Sequence, residues 1–127
     1  MVHVTETPKD VDTAARDLEE AVRRNGFGVL QVYDLKERLR EKGVDLPHEC
    51  RILEVCQPRQ AARVLEADMQ VSLALPCRIS VYEQGGVTRI GTILPSALLS
   101  LFPGAEGLGA VAAEVEGALL KMIGEAR

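Results

Sequence analysis

"CRISVYEQGGVTRIGTI", residues 77–93, decides the fold. "CRISVYE" (77–83) and "VTRIGTI" (87–93) read as strands flanking Gln84-Gly85-Gly86, and the Gly-Gly pair supplies the positive φ of a tight hairpin turn at little steric cost. At least one strand pair is therefore antiparallel. Upstream, "CRILEVC" (50–56) is a third strand, and Pro58 opens a helix, "PRQAARVLEA", with Ala61, Ala62 and Leu65 inward. "DMQVSLALP" between helix and hairpin reads either as a buried turn or as a strand lead-in. Nearer the start, "VHVTE" is a short strand. In Thr7-Pro8-Lys9-Asp10, Thr7 caps a helix, Pro8 suits its first position and Asp10 meets its dipole; the helix carries Val11, Ala14, Ala15, Leu18, Ala21 and Val22 on one face as far as Asn25-Gly26. "FGVLQVYD" (27–34) alternates as a strand, and Asp34 caps a brief helix running to Gly43. Beyond the hairpin come the apolar turn "SALLSLF" and a last helix with Leu108, Val111, Ala112, Val115, Leu119, Met122 and Ile123 on one stripe. The order β-α-β-α-β-α-β-β-α predicts an α/β chain of the α+β type. It is a two-layer sandwich with a single mixed sheet of about five strands and helices mainly on one face.

With 127 residues and no repeat or linker, residues 1–127 form one domain able to bury a core without staples. Aromatic residues make up 3% and Trp is absent, so the core is aliphatic. A net charge of −4 argues against nucleic-acid partners, which require clustered cations, and no stretch is apolar enough to span a membrane. "MVHVTETPKD" has no basic segment followed by an apolar one, so no secretory signal is expected. Three cysteines, an odd number, then read as reduced thiols in the cytoplasm. Eleven Arg against four Lys, with one Asn, fits a hot habitat or a GC-rich genome.

Side chains alternate across a strand, which sorts each strand into two faces. Val2, Val4, Leu30, Val32, Leu53, Val55, Ile79, Val81 and Ile90 form an aliphatic set expected under the helices. The opposite set holds His3 and Thr5; Phe27, Val29, Gln31 and Tyr33; Ile52 and Glu54; Arg78, Ser80 and Tyr82; Arg89 and Ile93. If this mixed face is open, its apolar members (Phe27, Val29, Ile52, Ile93) mark an interface, and a two-fold homodimer is the expected assembly. Its polar members read in two ways. Glu54 pairs with Arg78 or Arg89 across strands, or Tyr33, Glu54, Cys56, Arg78, Tyr82 and Arg89 line a site for a small anionic ligand.

Cys50 and Cys56 fall with the mixed face, Cys77 with the aliphatic one. No CxxC or HxxxH spacing is present, so neither a metal site nor a cofactor is expected. Cys56 precedes the Gln57-Pro58 helix start, where backbone N–H groups favour a thiolate, and His48 is the nearest base in sequence. A thiol-dependent enzyme or redox sensor using Cys56, with Cys77 as partner, is the alternative to a non-enzymatic binding or interaction module. Small buried filler is the plainest reading of all three cysteines.

"NGFGVLQVYD", "RILEVCQP" and "LALPCRISVYE" together resemble the bacterial and archaeal family known as domain of unknown function number 302. The most specific segments are Gly26-Phe27, the Cys56-Gln57-Pro58 step (many members carry Asn before the Pro) and Leu75-Pro76-Cys77-Arg78. The resemblance covers nearly the whole chain. It implies a compact α/β domain that stands alone and dimerises, with no established activity, substrate or cofactor, so no catalytic residue carries over.

Overall fold

Each predicted strand and helix forms, and the computed structural model describes all of residues 1–127. The strands are β1 (Val2–Thr7), β2 (Gly28–Asp34), β3 (Cys50–Cys56), β4 (Cys77–Gln84) and β5 (Val87–Ile93). The helices are α1 (Val11–Arg24), α2 (Leu35–Glu41), α3 (Pro58–Ala67), α4 (Pro95–Leu99) and α5 (Gly109–Ala126). Met69–Leu73, inside the ambiguous "DMQVSLALP", forms a 3-10 turn, and Pro103–Ala105 forms another.

Local chemistry accounts for most of these boundaries. Gly85 and Gly86 have φ of +62° and +77°, the pair of positive values that a two-residue hairpin turn requires. Asp34 caps α2, its Oδ1 accepting from Glu37 N at 3.1 Å. The cap of α1 is Asp10, whose Oδ1 accepts from Thr13 N at 2.7 Å, in place of Thr7. Thr7 is taken by β1, where it pairs with Thr88 and is buried.

Strand order is β1-β5-β4-β3-β2 and every pairing is antiparallel, so the sheet has no parallel pair where a mixed one was expected. The reason lies in the connections. β1 and β2 occupy opposite edges, so α1 spans the sheet instead of joining parallel neighbours. α2 and α3, with their loops, each return the chain beside the strand it left. α1 and α5 cover one face, where Leu18, Val22, Leu119, Met122 and Ile123 bury against Leu53, Val55, Ile79, Val81 and Ile90. Each such side chain contributes about 1.5–3 kcal/mol by leaving water. No helix is long and apolar enough to cross a membrane.

Register corrects the sorting of the faces at both edges. Thr5 lies opposite Ile90 and His3 opposite Thr92, so His3 and Thr5 face the helices while Val2 (63% exposed) and Val4 (44%) face outward. Alternation gives two faces per strand, but only pairing says which face is inner. In β2 the register slips between Val29 and Gln31. Val29 opposes Val55 and Val32 opposes Leu53, so both turn inward, and the extra residue, Leu30, is left 59% exposed. Phe27 is buried in the core. Phe27 and Val29 thus leave the open face, and Leu30 leaves the core. In α3, Val64 is buried and Ala62 exposed, with Ala61 and Leu65 half-buried. Val64 joins Val71, Ala105 and Val111 in a second, smaller apolar cluster.

Candidate functional site

The mixed face gathers the sequence-selected polar residues into two groups. In the first, Arg78 sits across from Glu54, with Nε 3.4 Å from Oε2, and Tyr33 OH donates to Glu54 Oε1 at 2.7 Å. Glu54 is only 9% exposed and Arg78 lies over the edge of this group, its side chain 68% exposed. The Arg38 guanidinium stands 5.3 Å from the centre of the Tyr33 ring. The hydrogen bond to Glu54 pushes the Tyr33 phenol above its ordinary pKa, aided by burial and by the carboxylate's charge. In the second group Arg89 faces Tyr82, separated from Glu54 by the width of β4. Arg89 Nη2 is 3.4 Å from Glu6 Oε1, and its Nη1 donates to Gln84 O at 3.3 Å. Each guanidinium therefore already holds a carboxylate. The six residues do not converge on one cavity.

Arg51 was not among the candidates, yet it is the most connected cation in the chain. It lies on the helix-covered side of β3, 3.2 Å from Asp12, 3.3 Å from Asp34 and 3.6 Å from Glu49. Its signal was legible: Arg51 shares the alternation of Leu53 and Val55, and an inward cation needs partners. The cluster ties α1 to the β2–β3 edge.

The cysteines separate along β3. Cys50 opens the strand, with Sγ 4.0 Å from Ser80 Oγ, and the exposed His48 lies at that end. Cys56 closes the strand at the other end, away from any base. Cys77, opposite Val55, begins β4 beside it, and all three thiols are free. Burial pushes the Cys56 thiol up; burial, then the neighbouring Cys56, push Cys77 up to about 11. A nucleophilic thiol needs the opposite shift. The N-terminal turn of α3 spends its polarity elsewhere, as Gln57 Oε1 accepts from Gln60 N at 2.8 Å. No three His, Cys, Asp or Glu side chains stand close enough to share a metal ion.

Cys56 and Cys77 instead meet at a cavity beyond this end of the sheet, where β2 and β4 begin and β3 ends. α3, the 3-10 turn after it, α4 and α5 line it on the other sides, leaving a mouth open to solvent, around a volume of about 310 Å³. Of its 21 lining residues 16 are hydrophobic, among them Val64, Leu65, Leu99 and Val115, and none carries a charge. Gln60 also lines it, and the Gln60 Oε1 atom is buried without a hydrogen-bond partner. A second depression, of about 460 Å³, lies between α4 and the start of α5. Ser96, Ser100, Glu106 and Glu116 give it a polar part, and there Glu116 Oε1 accepts from Ser96 Oγ at 2.6 Å. Sequence reasoning missed the apolar cavity because its wall comes from five separate segments. The one available hint was apolar residue in "DMQVSLALP" and "SALLSLF" beyond what strand or helix periodicity could use.

Comparison with known proteins places this architecture. The family model for "Domain of unknown function DUF302" matches residues 3–126. The chain belongs to the DUF302 family. Among solved structures, the crystal structure of an uncharacterised conserved DUF302 protein from Bacillus stearothermophilus superimposes with a TM-score of 0.91 at 34% identity. The match covers 99% of this chain and 98% of that one. No curated protein matches. The segments that carried the family resemblance in the sequence come together in the DUF302 fold: Phe27, Cys56, Gln57, Leu75, Pro76 and Cys77 all line the apolar cavity.

Proposed function

We propose that this DUF302 domain is a non-enzymatic module that binds a small, neutral, largely apolar molecule in the cavity between the end of its sheet and α3, α4 and α5. The observation that carries this reading is a charge-free apolar wall around about 310 Å³, at the lower end of the roughly 300–1,000 Å³ of small-molecule sites. Two further facts support it. The three family-typical segments meet there, and the two thiols in the wall are held protonated by burial, as suits lining rather than catalysis. Free thiols also fit a reducing compartment, the cytoplasm. The sheet face offers an anion less, since Arg78 and Arg89 already face Glu54 and Glu6.

The test is fluorescence of N-phenyl-1-naphthylamine, a neutral apolar probe that brightens and shifts to the blue when it leaves water. Saturable one-to-one binding is expected, and Ala61→Phe, which fills the cavity, abolishes it. Binding that survives Ala61→Phe unchanged, or no binding, contradicts the reading.

A second reading concerns assembly. Val2 pairs with Ile93, and with Val4 they form an exposed apolar strip at the β1–β5 edge of the open face. A second copy of the chain covers this strip as a two-fold homodimer. Sedimentation at micromolar concentration is expected to give a dimer that Val4→Glu dissociates. A wild-type monomer rules the dimer out.

A further inference from the structure

The unpartnered acceptor in the cavity wall specifies the ligand more closely. Gln60 stands in the first turn of α3, and its backbone N–H is already engaged by Gln57. Its side-chain Oε1 is sealed from solvent and accepts nothing. Native proteins rarely leave a buried acceptor idle, and one that remains calls for an explanation, of which a bound molecule is one. Gln60 lines the cavity, and the terminal torsion of a glutamine amide is soft enough for the side chain to present Oε1 to a molecule bound there. Nothing in the same wall can neutralise a charge: Asp, Glu, Lys, Arg and His are all missing from it. A charged group held against this wall would stand unpaired, the most penalised arrangement available. The remaining polar groups of the wall are Gln57, Ser72 and the protonated thiols of Cys56 and Cys77, the thiols being weak donors only.

We infer that the ligand is uncharged, mostly hydrocarbon, and presents one hydrogen-bond donor, a hydroxyl or an amide N–H, to Oε1 of Gln60. This inference rests on the cavity being the binding site.

Three probes of similar length separate the possibilities by displacement of N-phenyl-1-naphthylamine: 1-octanol (donor), 1-methoxyheptane (the same atoms without a donor) and octanoate at pH 8 (charged). The expected order is 1-octanol tighter than 1-methoxyheptane by about tenfold, the size of one hydrogen bond to an otherwise unsatisfied acceptor, with octanoate weakest. In Gln60→Met, which keeps the side chain's bulk and removes the acceptor, the alcohol and the ether bind equally. Equal affinity of alcohol and ether in the wild-type protein overturns the inference while leaving the cavity as a binding site. This wild-type comparison holds even if the variant does not fold. Tenfold discrimination that persists in folded Gln60→Met removes Gln60 from the role. Displacement by none of the three, with no binding of the fluorescent probe, overturns the cavity itself as a binding site.

Discussion

The chain has two apolar regions, and they are built differently. Between α1, α5 and the middle of the sheet, Leu18, Leu53, Ile79, Ile90, Leu119 and Met122 are sealed completely and fill the space between the layers. Beyond the strand ends, Val64, Val71, Ala105 and Val111 form a smaller cluster bordering a cavity of about 310 Å³. The first region rests on long elements with strict periodicity: α1 and α5 facing paired strands. The second is lined by α3, α4 and the 3-10 turns, all short pieces, together with the first half of α5, and they leave room. Filled space holds the fold, and unfilled apolar space is available to a ligand.

The largest contrast expected between the two is in stability. Leu53→Ala, in the filled core, is expected to cost about 2–5 kcal/mol, as buried leucine truncations do when the surroundings cannot collapse. Leu65→Ala, half-buried at the cavity wall, costs about 1 kcal/mol or less, because little packing is lost beside existing empty space. Urea unfolding of both variants checks this; equal losses erase the distinction.

Next in size is a pH effect at the border of the two regions. Cys77 packs against the main core and also lines the cavity. Its thiol titrates at about 11 in the folded chain and near 9.0 when unfolded, so between these values the folded state keeps a proton that the unfolded state has released. The contribution is complete below pH 9 and disappears as pH rises to 11, a loss of about 2 kcal/mol. The measure is the difference between wild type and Cys77→Ala in urea midpoint from pH 8 to pH 11. A difference that does not change with pH means the thiol is not desolvated.

On the open face the expected effects are smaller. The Arg78 side chain is 68% exposed, and Arg78→Ala is expected to cost about 0–1 kcal/mol and to leave binding of the apolar probe unchanged. Loss of probe binding in this variant moves the site to the sheet face. The smallest stability change belongs to Ala61→Phe: the melting temperature stays near that of the wild type because the new ring enters existing space, although probe binding is lost.

The same contrast explains what could be seen in the sequence. Helix periods, caps and the Gly85-Gly86 turn are local signals, and they located the five strands, the four longer helices and the two-layer plan, while "SALLSLF", read as an apolar turn, holds the short helix α4. Facing residues in the central strands β3 and β4 also followed from alternation, which brought Glu54 and Arg78 into view as neighbours. The edges did not follow. Val2 and Val4 take their orientation from pairing with β5, and Leu30 is turned outward by a bulge that depends on the β3 register, both non-local facts. The cavity was the least legible feature, since Phe27, Cys56, Leu75, Pro95 and Val115 are distant in the chain and share no spacing. The family-like segments Cys56-Gln57 and Leu75-Pro76-Cys77 lie in its wall, which only the fold brings together.

Amide chemical-shift mapping with 1-octanol compares the two candidate surfaces in one experiment. Saturable shifts at Ala61, Val64, Val71, Leu99 and Ala112, with none at Val4, Arg78 or Ile93, are the result expected of a cavity-binding DUF302 domain. Shifts centred on Val4, Arg78 and Ile93, or none at any concentration the alcohol reaches in water, would contradict it.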